Sequence, residues 1–248
     1  MGSHLLIGSA ALCFSLSLSV SAAEVRIAVA ANFTHTLSQL QTQFETMTPH
    51  RISVISGSTG KLFAQINNGA PFDVFLSADA DAPTQLVGSG QAVAQSQFTY
   101  ARGRLVLWSA QPELVRDAAQ SLRVGTQKIA LANPKHAPYG RAAQQALRAL
   151  KLWDVVQSRV VLGENVNQTL QFAATGNATW AFVGLAQVFN LPPEQRGGYW
   201  EVPRDIYEPI IQDAVLLVRG RDSPAAQEFI TYLRSAAAHE LIQREGYE

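Results

Sequence analysis

The chain has 248 residues, of which 47% are hydrophobic and 15% are charged, a balance typical of a globular protein with one large domain or two of ordinary size. Its 19 Lys and Arg residues balance its 19 Asp and Glu residues, so no general positive field exists to attract nucleic acid or an acidic membrane. We therefore expect no nucleic-acid partner, and any bound anion must be held by local dipoles and hydroxyl groups.

The first 23 residues are predicted to be a signal peptide. An uncharged, mostly apolar run covers residues 5–20 and ends in Ser-Ala-Ala, which is typical of a cleavage site near Ala22 or Ala23. Residues 1–4 lack the usual Lys or Arg and resemble a vector-derived remnant in its place. A membrane anchor is the alternative, but the run is short for a bilayer span and rich in Ser. Export from the cytoplasm is therefore expected.

The single cysteine, Cys13, lies inside this segment. It follows Leu12, whereas a lipoprotein signal requires a small residue there, so no lipid anchor is expected. A mature chain starting at Ala23 or Glu24 would have no disulfide, no thiolate nucleophile and no cysteine metal site.

The first part of the predicted mature chain alternates strands with helices. The strands predicted from apolar runs cover residues 25–30, 51–55 and 72–76. Apolar residues at helical spacing predict a helix from Thr34 to Pro49 and another over residues 61–66, and a third helix begins near Pro83. This order is typical of a parallel sheet with right-handed crossovers.

Polar turns follow these three strands at Asn32, at residues 56–60 and at residues 77–78. Because ligands of open α/β sheets bind beyond the carboxyl ends of the strands, the three turns are expected to share one edge of the sheet. The turn at 56–60 reads Ser-Gly-Ser-Thr-Gly and has no carboxylate, so free N–H groups at the following helix start can receive an anion. Ser58 and Thr59 are equally ordinary helix N-caps, which is the alternative for this turn alone.

A second α/β series follows an extended run over residues 98–108, whose polar, Gly-containing middle favours a crossing between two lobes. The predicted strands of this series cover residues 128–131, 160–162 and 180–183, and the predicted helices cover residues 141–150, 166–174 and 185–189. Residues 192–198 are predicted to be a loop. A second extended run covers residues 210–218, and Ser223 and Pro224 open the final helix.

Two similar halves joined by two extended hinge strands predict an α/β fold of two lobes with a cleft between them. Each lobe is expected to be a mainly parallel sheet flanked by helices. The predicted first lobe comprises residues 24–100 plus 213–248, and the predicted second lobe comprises residues 101–212.

Six stretches in a fixed order carry a family resemblance. They are Ala-Ala-Asn-Phe at 30–33, Gly-Ser-Thr-Gly at 57–60, Gly-Ala-Pro-Phe-Asp-Val-Phe-Leu-Ser-Ala-Asp at 69–79, Arg-Leu-Val-Leu at 104–107, Ala-Pro-Tyr-Gly at 137–140 and Gly-Glu-Asn-Val at 163–166. Together they resemble the periplasmic molybdate-binding proteins of ABC transporters over essentially all of residues 24–248. The block at 69–79 is the most specific part.

The resemblance implies a periplasmic-binding-protein fold that closes over a tetrahedral oxyanion, molybdate or tungstate, and delivers it to a membrane permease. It also implies a periplasmic monomer that is not an enzyme and needs no cofactor. The oxyanion contacts that it implies are Asn32, Thr59, Ala78, Tyr139 and Val166, with Ala31 and Ser58 flanking them. Within the 56–60 turn, it favours Thr59 over Ser58 as the principal side-chain donor.

Two positions differ from many members of that family. Asn32 stands where many have Ser, and Gly184 stands where many place a ligand Tyr. The chain resembles instead the subgroup whose Tyr comes from the Ala-Pro-Tyr-Gly loop, here Tyr139.

The implied ligands fit the chemistry of the implied anion. A tetrahedral oxyanion of this kind is a dianion at neutral pH with only acceptor oxygens, so it needs several converging donors and no carboxylate. An Asn amide, Thr and Tyr hydroxyls and backbone N–H groups are such donors, and Val166 can contribute only its N–H. Cavity size would select molybdate over the smaller sulfate, and the lack of an acceptor would select against protonated phosphate.

Several alternatives remain at this point. Asn32 and Asn165 are plausible N-caps, and Tyr139 an ordinary loop aromatic. The protein could bind sulfate or another oxyanion, or be a ligand sensor without transport. An exported hydrolase using Ser58 or Thr59 is disfavoured because Ser56 replaces the first Gly of a Gly-x-Ser-x-Gly elbow. No paired carboxylates or metal-spaced His/Asp set predicts a metal-cation site.

Overall fold

The structure, a computed structural model, describes residues 22–248, so most of the predicted signal peptide lies outside the described residues. The strands are β1 (Glu24–Ala30), β2 (Arg51–Gly57), β3 (Val74–Leu76), β4 (Phe98–Gly103), β5 (Leu105–Ser109), β6 (Ile129–Ala132), β7 (Val160–Gly163), β8 (Trp180–Gly184), β9 (Gly198–Glu201) and β10 (Ile210–Leu216). The α-helices are α1 (Thr34–Met47), α2 (Thr59–Asn67), α3 (Asp81–Gly88), α4 (Ala118–Val124), α5 (Pro138–Ala149), α6 (Trp153–Val156), α7 (Val166–Ala174), α8 (Leu185–Phe189), α9 (Pro224–Leu233) and α10 (Ala236–Arg244). Across the described part of the chain, no helix is both long and apolar enough to cross a bilayer.

The first lobe is built on a five-stranded sheet in the order β2-β1-β3-β10-β4. Strand β1 pairs in parallel with β2 and β3, and β10 runs antiparallel to both β3 and β4, so four of the five strands point the same way. Helices α1, α9 and α10 bury one face of the sheet, and α2 and α3 bury the other. Because both faces are covered, β1 is apolar along most of its length instead of alternating.

The second lobe repeats this plan with a sheet in the order β7-β6-β8-β5-β9. Strand β6 pairs in parallel with β7 and β8, while β5 runs antiparallel to β8 and β9. All four residues of β6 are buried. The predicted α/β fold of two lobes, each with a mainly parallel sheet, is therefore confirmed.

The chain crosses between the lobes twice. The extended run at 98–108 divides at Arg104, with β4 pairing in the first sheet and β5 in the second. The return crossing lies between β9 and β10, because all of β10 pairs within the first sheet. The run predicted at 210–218 is therefore a strand of the first lobe that begins immediately after the crossing.

Two helices begin earlier than the sequence pattern predicts, and both differences bear on the cleft. Helix α2 starts at Thr59, which shortens the predicted 56–60 turn to Ser58. Helix α5 starts at Pro138, because proline suits the first helical position, where no intrahelical acceptor exists for an N–H. Tyr139 therefore lies in the first turn of a helix and not in a loop.

Two further elements differ from the sequence-based expectation. Strand β9 lies partly within the stretch predicted to be a loop, because it is a short edge strand that pairs only with β5. The final helix is two helices, since the side chain of Ser235 accepts a hydrogen bond from the N–H of Ala238 and starts α10.

Candidate functional site

A small cavity lies between the lobes, beyond the carboxyl ends of strands from both sheets. It measures about 10 Å³, far below the roughly 300 Å³ of a pocket for a drug-sized organic ligand and close to the roughly 10–15 Å³ that a single water molecule needs. All seven residues named as oxyanion contacts from the sequence line it. The full lining is Ala30, Ala31, Asn32, Ser58, Thr59, Ala78, Ala137, Pro138, Tyr139, Asn165 and Val166.

Three α-helices start at this cavity. Helix α2 contributes Ser58 and Thr59, α5 contributes Tyr139, and α7 contributes Asn165 and Val166. Each helix start carries a partial positive charge of roughly half an elementary charge. Helix starts from both lobes therefore converge on one small volume and make its electrostatic potential favourable for an anion.

Backbone donors at these helix starts are free. The N–H groups of Thr59, Tyr139 and Val166 belong to first turns, where no acceptor exists within the helix. No other residue in the range 22–248 accepts a hydrogen bond from any of the three. Asn165 does cap α7, but its side chain accepts from Asn167 and Gln168 and leaves the N–H of Val166 available.

The hydroxyl of Ser58 is buried without a partner. Ser58 occupies the N-cap position of α2, yet its side chain makes no capping hydrogen bond. Its residue is 4% exposed, and within residues 22–248 its Oγ contacts no donor or acceptor. Capping therefore does not account for Ser58, and an unpaired buried hydroxyl at the cavity wall points to a ligand.

Thr59 is held in a different way. Its Oγ1 accepts a hydrogen bond from the N–H of Ala78 at 3.0 Å. Among residues 22–248 the Thr59 hydroxyl has no acceptor of its own, so its hydrogen remains free to donate to a ligand. Ala78 lines the cavity, but its N–H is already engaged with Thr59, so it contributes shape.

Tyr139 is a buried donor in the second-lobe wall, 2% exposed. Burial, together with nearby Tyr247 and Tyr207, raises its pKa well above the ordinary value of a tyrosine, so its hydroxyl stays protonated. A Cβ on Gly184 would lie 3.1 Å from the Tyr139 ring, and a Cβ on Gly103 would lie 2.2 Å from its hydroxyl. Glycine at both positions therefore makes room for this ring, which accounts for the Gly184 difference noted in the sequence.

Asn32 lines the cavity, but its amide faces the protein. Its Nδ2 donates to Oε1 of Gln212 at 2.8 Å and to the hydroxyl of Tyr247 at 3.2 Å. Tyr247 in turn donates to the carbonyl of Asn32 at 2.8 Å. Since both amide hydrogens have partners, the backbone N–H of Asn32, in the 3-10 helix Ala31–Phe33, is the donor that it can offer to a ligand.

Charged side chains lie around the cavity and not in its wall, which contains no Asp, Glu, Lys or Arg. Lys61 pairs with Glu164 across the lobes at 2.8 Å, and Arg141 pairs with Asp79 at 2.7 Å. We call these two pairs the rim. Each is neutral as a pair, so the rim adds little net charge to the potential at the cavity.

Two further hydrogen bonds join the lobes beside the cavity. The N–H of Gly60 donates to the carbonyl of His136 at 2.9 Å, and Nδ2 of Asn167 donates to the carbonyl of Ala31 at 2.8 Å. A Cβ on Gly60 would lie 3.0 Å from the backbone of His136, so glycine permits this close approach. The lobes are therefore closed over the cavity.

A larger cavity of about 170 Å³ adjoins the first one. Its wall includes the carboxylates of Asp79, Asp81 and Glu208 against the one guanidinium of Arg141, so an anion is less favourable there than in the donor-lined cavity. Among the described residues, no group of three or more His, Cys, Asp or Glu side chains is placed to hold a metal ion.

Sequence reasoning missed three polar residues behind the site, namely Gln212, Tyr247 and Asn167. Gln212 offered a signal, because it is a polar residue inside an apolar run predicted to be a strand. Tyr247 and Asn167 offered none, since their role depends on the contact of distant parts of the chain.

Comparison with known proteins gives a consistent result. Residues 25–248 match the family described as bacterial extracellular solute-binding protein. The chain is 48% identical over 233 residues to the molybdate-binding protein ModA of Azotobacter vinelandii, covering 94% of this chain and 92% of that protein. It is 43% identical over 237 residues to ModA of Rhodobacter capsulatus, covering 96% and 93%. The solved periplasmic molybdate-binding protein of Azotobacter vinelandii superimposes with a TM-score of 0.86 at 40% identity, covering 90% of this chain and 98% of that chain.

Proposed function

The chain belongs to the bacterial extracellular solute-binding protein family, and on this premise we propose that it captures molybdate or tungstate in the cleft between its lobes and delivers it to an ABC permease. The observation that carries the proposal is the cavity at which three helix starts converge, with free N–H groups at Thr59, Tyr139 and Val166 and the unpaired hydroxyl of Ser58. The two ModA relatives, each more than 40% identical, support molybdate as the solute.

The cavity suits a small, fully ionised oxyanion. The free N–H and hydroxyl groups of the wall can all donate, and no carboxylate lines it. Hydrogen bonds to a charged acceptor are stronger than neutral ones, by about a factor of two. A dianion with four acceptor oxygens can use these donors together, whereas a cation would find no acceptor set.

The same wall argues against the hydrolase alternative. A serine nucleophile needs a general base within hydrogen-bond reach. Within residues 22–248, Ser58 Oγ has no hydrogen-bond partner of any kind, so no base is positioned to activate it. We therefore assign Ser58 to binding and not to catalysis.

The location, assembly and lobe boundaries belong to the proposal. The solved molybdate-binding protein of Azotobacter vinelandii is periplasmic, and the apolar run at residues 5–20 supports export of this chain. We further propose that it acts as a monomer without a cofactor. We propose lobes close to the predicted segments, residues 24–100 plus 213–248 and residues 101–212, but with residues 101–103 and 210–212 assigned to the first lobe, because β4 and β10 pair within its sheet.

The test is a calorimetric titration of the purified protein with molybdate, tungstate, sulfate and phosphate. Binding of molybdate or tungstate in preference to the other two is expected. Preference for sulfate would support the alternative of a different tetrahedral oxyanion, and absence of heat with all four would contradict the proposal.

A further inference from the structure

We propose that Gln212 acts as a positioning residue that turns the Tyr139 hydroxyl into a dedicated donor for the anion. In this way it favours fully deprotonated oxyanions over those that carry a proton. This inference rests on the proposed function, because it concerns the same cavity.

Gln212 is a fully buried polar side chain in strand β10. It is 0% exposed, and its neighbours in the strand include the buried apolar residues Ile210 and Ala214. The pairing of β10 with β4 shifts register between Gln212 and Asp213, so a local bulge marks this point of the strand. A buried amide in a core strand requires partners for both its oxygen and its nitrogen.

The partners of the oxygen fix the direction of the amide. Oε1 accepts from Nδ2 of Asn32 at 2.8 Å, and the Tyr100 hydroxyl lies 3.3 Å from it. The single hydrogen of that hydroxyl is shared with the carbonyl of Ser77, at 3.0 Å from the Tyr100 oxygen. With its oxygen facing these donors, Gln212 directs Nε2 toward the second lobe.

There Nε2 donates to the Tyr139 hydroxyl oxygen at 3.4 Å. Within residues 22–248 no other group is hydrogen-bonded to that hydroxyl, so its own hydrogen has no acceptor in the protein. The backbone at Gly103 and Gly184 approaches the ring closely on two sides, since a Cβ at either position would meet it. The hydroxyl hydrogen is therefore available to a ligand in the cavity that Tyr139 lines.

The same arrangement occurs on the opposite wall. Thr59 Oγ1 accepts from the N–H of Ala78, just as the Tyr139 oxygen accepts from Gln212. In both cases an N–H occupies the oxygen and leaves the hydroxyl hydrogen for a ligand. Two hydroxyls, one from each lobe, are thus both arranged to donate to a ligand.

Because both hydroxyls are arranged to donate, the site distinguishes anions that carry a proton from those that do not. Molybdate, tungstate and sulfate at neutral pH present only acceptors, whereas hydrogen phosphate must also place a hydrogen. A hydroxyl oxygen that already accepts from an N–H is a poorer acceptor for that hydrogen, and an unmatched polar group in a buried site is costly. Without Gln212, the Tyr139 hydroxyl can turn and accept, so discrimination against hydrogen phosphate should weaken.

The test is a double-mutant cycle with Gln212→Met, which keeps the length of the side chain and removes both hydrogen-bonding groups, and Tyr139→Phe. Affinities for molybdate and for phosphate are measured by calorimetry at neutral pH for the wild type, both single variants and the double variant. We expect Gln212→Met to weaken molybdate binding by about 2- to 10-fold, the effect of one net hydrogen bond, and to narrow the preference for molybdate over phosphate. In the Tyr139→Phe background, Gln212→Met should change molybdate affinity by less than about 2-fold.

A purely structural role for Gln212 predicts the opposite pattern. The loss of molybdate affinity caused by Gln212→Met would then persist in the Tyr139→Phe background, and the ratio of molybdate to phosphate affinity would be unchanged. Either result overturns the inference. If Gln212→Met does not fold, Gln212→Glu replaces it, because the introduced carboxyl keeps an acceptor for Asn32 and removes the donor to Tyr139. Gln212→Glu should then reduce molybdate affinity more in the wild-type background than in the Tyr139→Phe background. Equal losses of affinity in the two backgrounds would overturn the inference. A wild type that binds no molybdate would remove the proposed function and this inference together, whereas wild-type binding with additive effects removes the inference alone.

Discussion

The cavity wall and the rim around it differ in the charged groups that they contain. The wall has no ionised side chain and presents helix starts, N–H groups and hydroxyls, all within the buried contact of the lobes. The rim carries two ion pairs, Lys61–Glu164 and Arg141–Asp79, whose members, Asp79 apart, are 40 to 50% exposed. A chain with no net charge can therefore bind an anion through buried dipoles. Its ionised side chains pair with each other at the exposed rim, where water screens their charges.

The two regions should differ in energy accordingly. A hydrogen bond from a buried donor to a charged group contributes about 1.5–3 kcal/mol. An exposed ion pair contributes about 0–1 kcal/mol and weakens with salt. We expect changes in the wall to control affinity and changes in the rim to adjust it.

The largest effect is expected from a carboxylate in the wall. Ser58→Asp places a negative charge beside the anion, and two unit charges about 4 Å apart repel by about 4 kcal/mol at an effective dielectric constant of 20. Molybdate affinity should fall by at least about 1000-fold. The free N–H groups of the wall and the positive end of α2 can partner this buried carboxylate, so the protein should still fold, which thermal unfolding checks.

Ser58→Ala is the matched control for this change, because it removes the hydroxyl without adding charge. Calorimetry and thermal unfolding of both variants separate binding from folding. Equal affinities of Ser58→Asp and Ser58→Ala would mean that position 58 does not face the anion.

Removal of a single backbone donor should have the next largest effect. Val166→Pro deletes the N–H at the first position of α7, where proline is tolerated, and Asn165 before it already has the extended backbone that proline requires. Molybdate binding should weaken by about 1.5–3 kcal/mol. Ala236→Pro makes the same change at the start of α10 after an extended Ser235, far from the cavity in sequence, and should leave affinity unchanged. Similar losses in both variants would assign the effect to helix stability.

Tyr139→Phe removes the second-lobe hydroxyl and keeps the ring. We expect a loss of about 1–3 kcal/mol in molybdate affinity, measured by calorimetry. The ring still fills the space beside Gly103 and Gly184, so the unfolding temperature should change little. An unchanged affinity would exclude the Tyr139 hydroxyl from the site.

The rim should respond weakly. Glu164→Gln breaks the pair with Lys61, and we expect molybdate affinity to change by less than about 1 kcal/mol, with the difference shrinking as salt rises. Titration of the wild type and Glu164→Gln with molybdate at low and high ionic strength measures the change in affinity and its dependence on salt. A loss as large as that of Val166→Pro would contradict the division between wall and rim.

The smallest effect is expected from pH. Burial raises the pKa of Tyr139 well above its ordinary value of about 10, and the wall contains no His, Lys, Asp or Glu. Affinity should therefore be flat from about pH 7 to about pH 9.5. Unfolded tyrosines ionise near pH 10 while the buried ones stay neutral, so their contribution to stability is intact below that pH and is lost as pH rises further. A fall in affinity centred near pH 10 would show that Tyr139 titrates as an exposed phenol.

Much of this wall could be predicted from the sequence. Strand ends and helix starts follow from local patterns, and the ordered motifs from 30–33 to 163–166 identified seven of the eleven lining residues. The lobe boundaries predicted at 100/101 and 212/213 each cut a strand of the first sheet, and the individual roles of the lining residues stay predictions.

The hydrogen-bond partners of the wall side chains could not be predicted, because they depend on contacts between distant residues. Nothing near Ser58 in the sequence shows that its hydroxyl lacks a capping partner, and nothing near Asn32 shows that its amide is held by Gln212 and Tyr247. Likewise, only the position of the Tyr139 ring explains Gly184.

The most direct test of the central claim is a crystal structure of the protein with molybdate, with molybdenum located by its anomalous scattering. We predict one molybdenum site in the donor-lined cavity between the lobes, with oxyanion oxygens about 2.7–3.1 Å from Ser58 Oγ and from the backbone nitrogen of Val166. Molybdenum in the neighbouring cavity beside Arg141 and Asp79, with the donor-lined cavity holding none, would contradict the account.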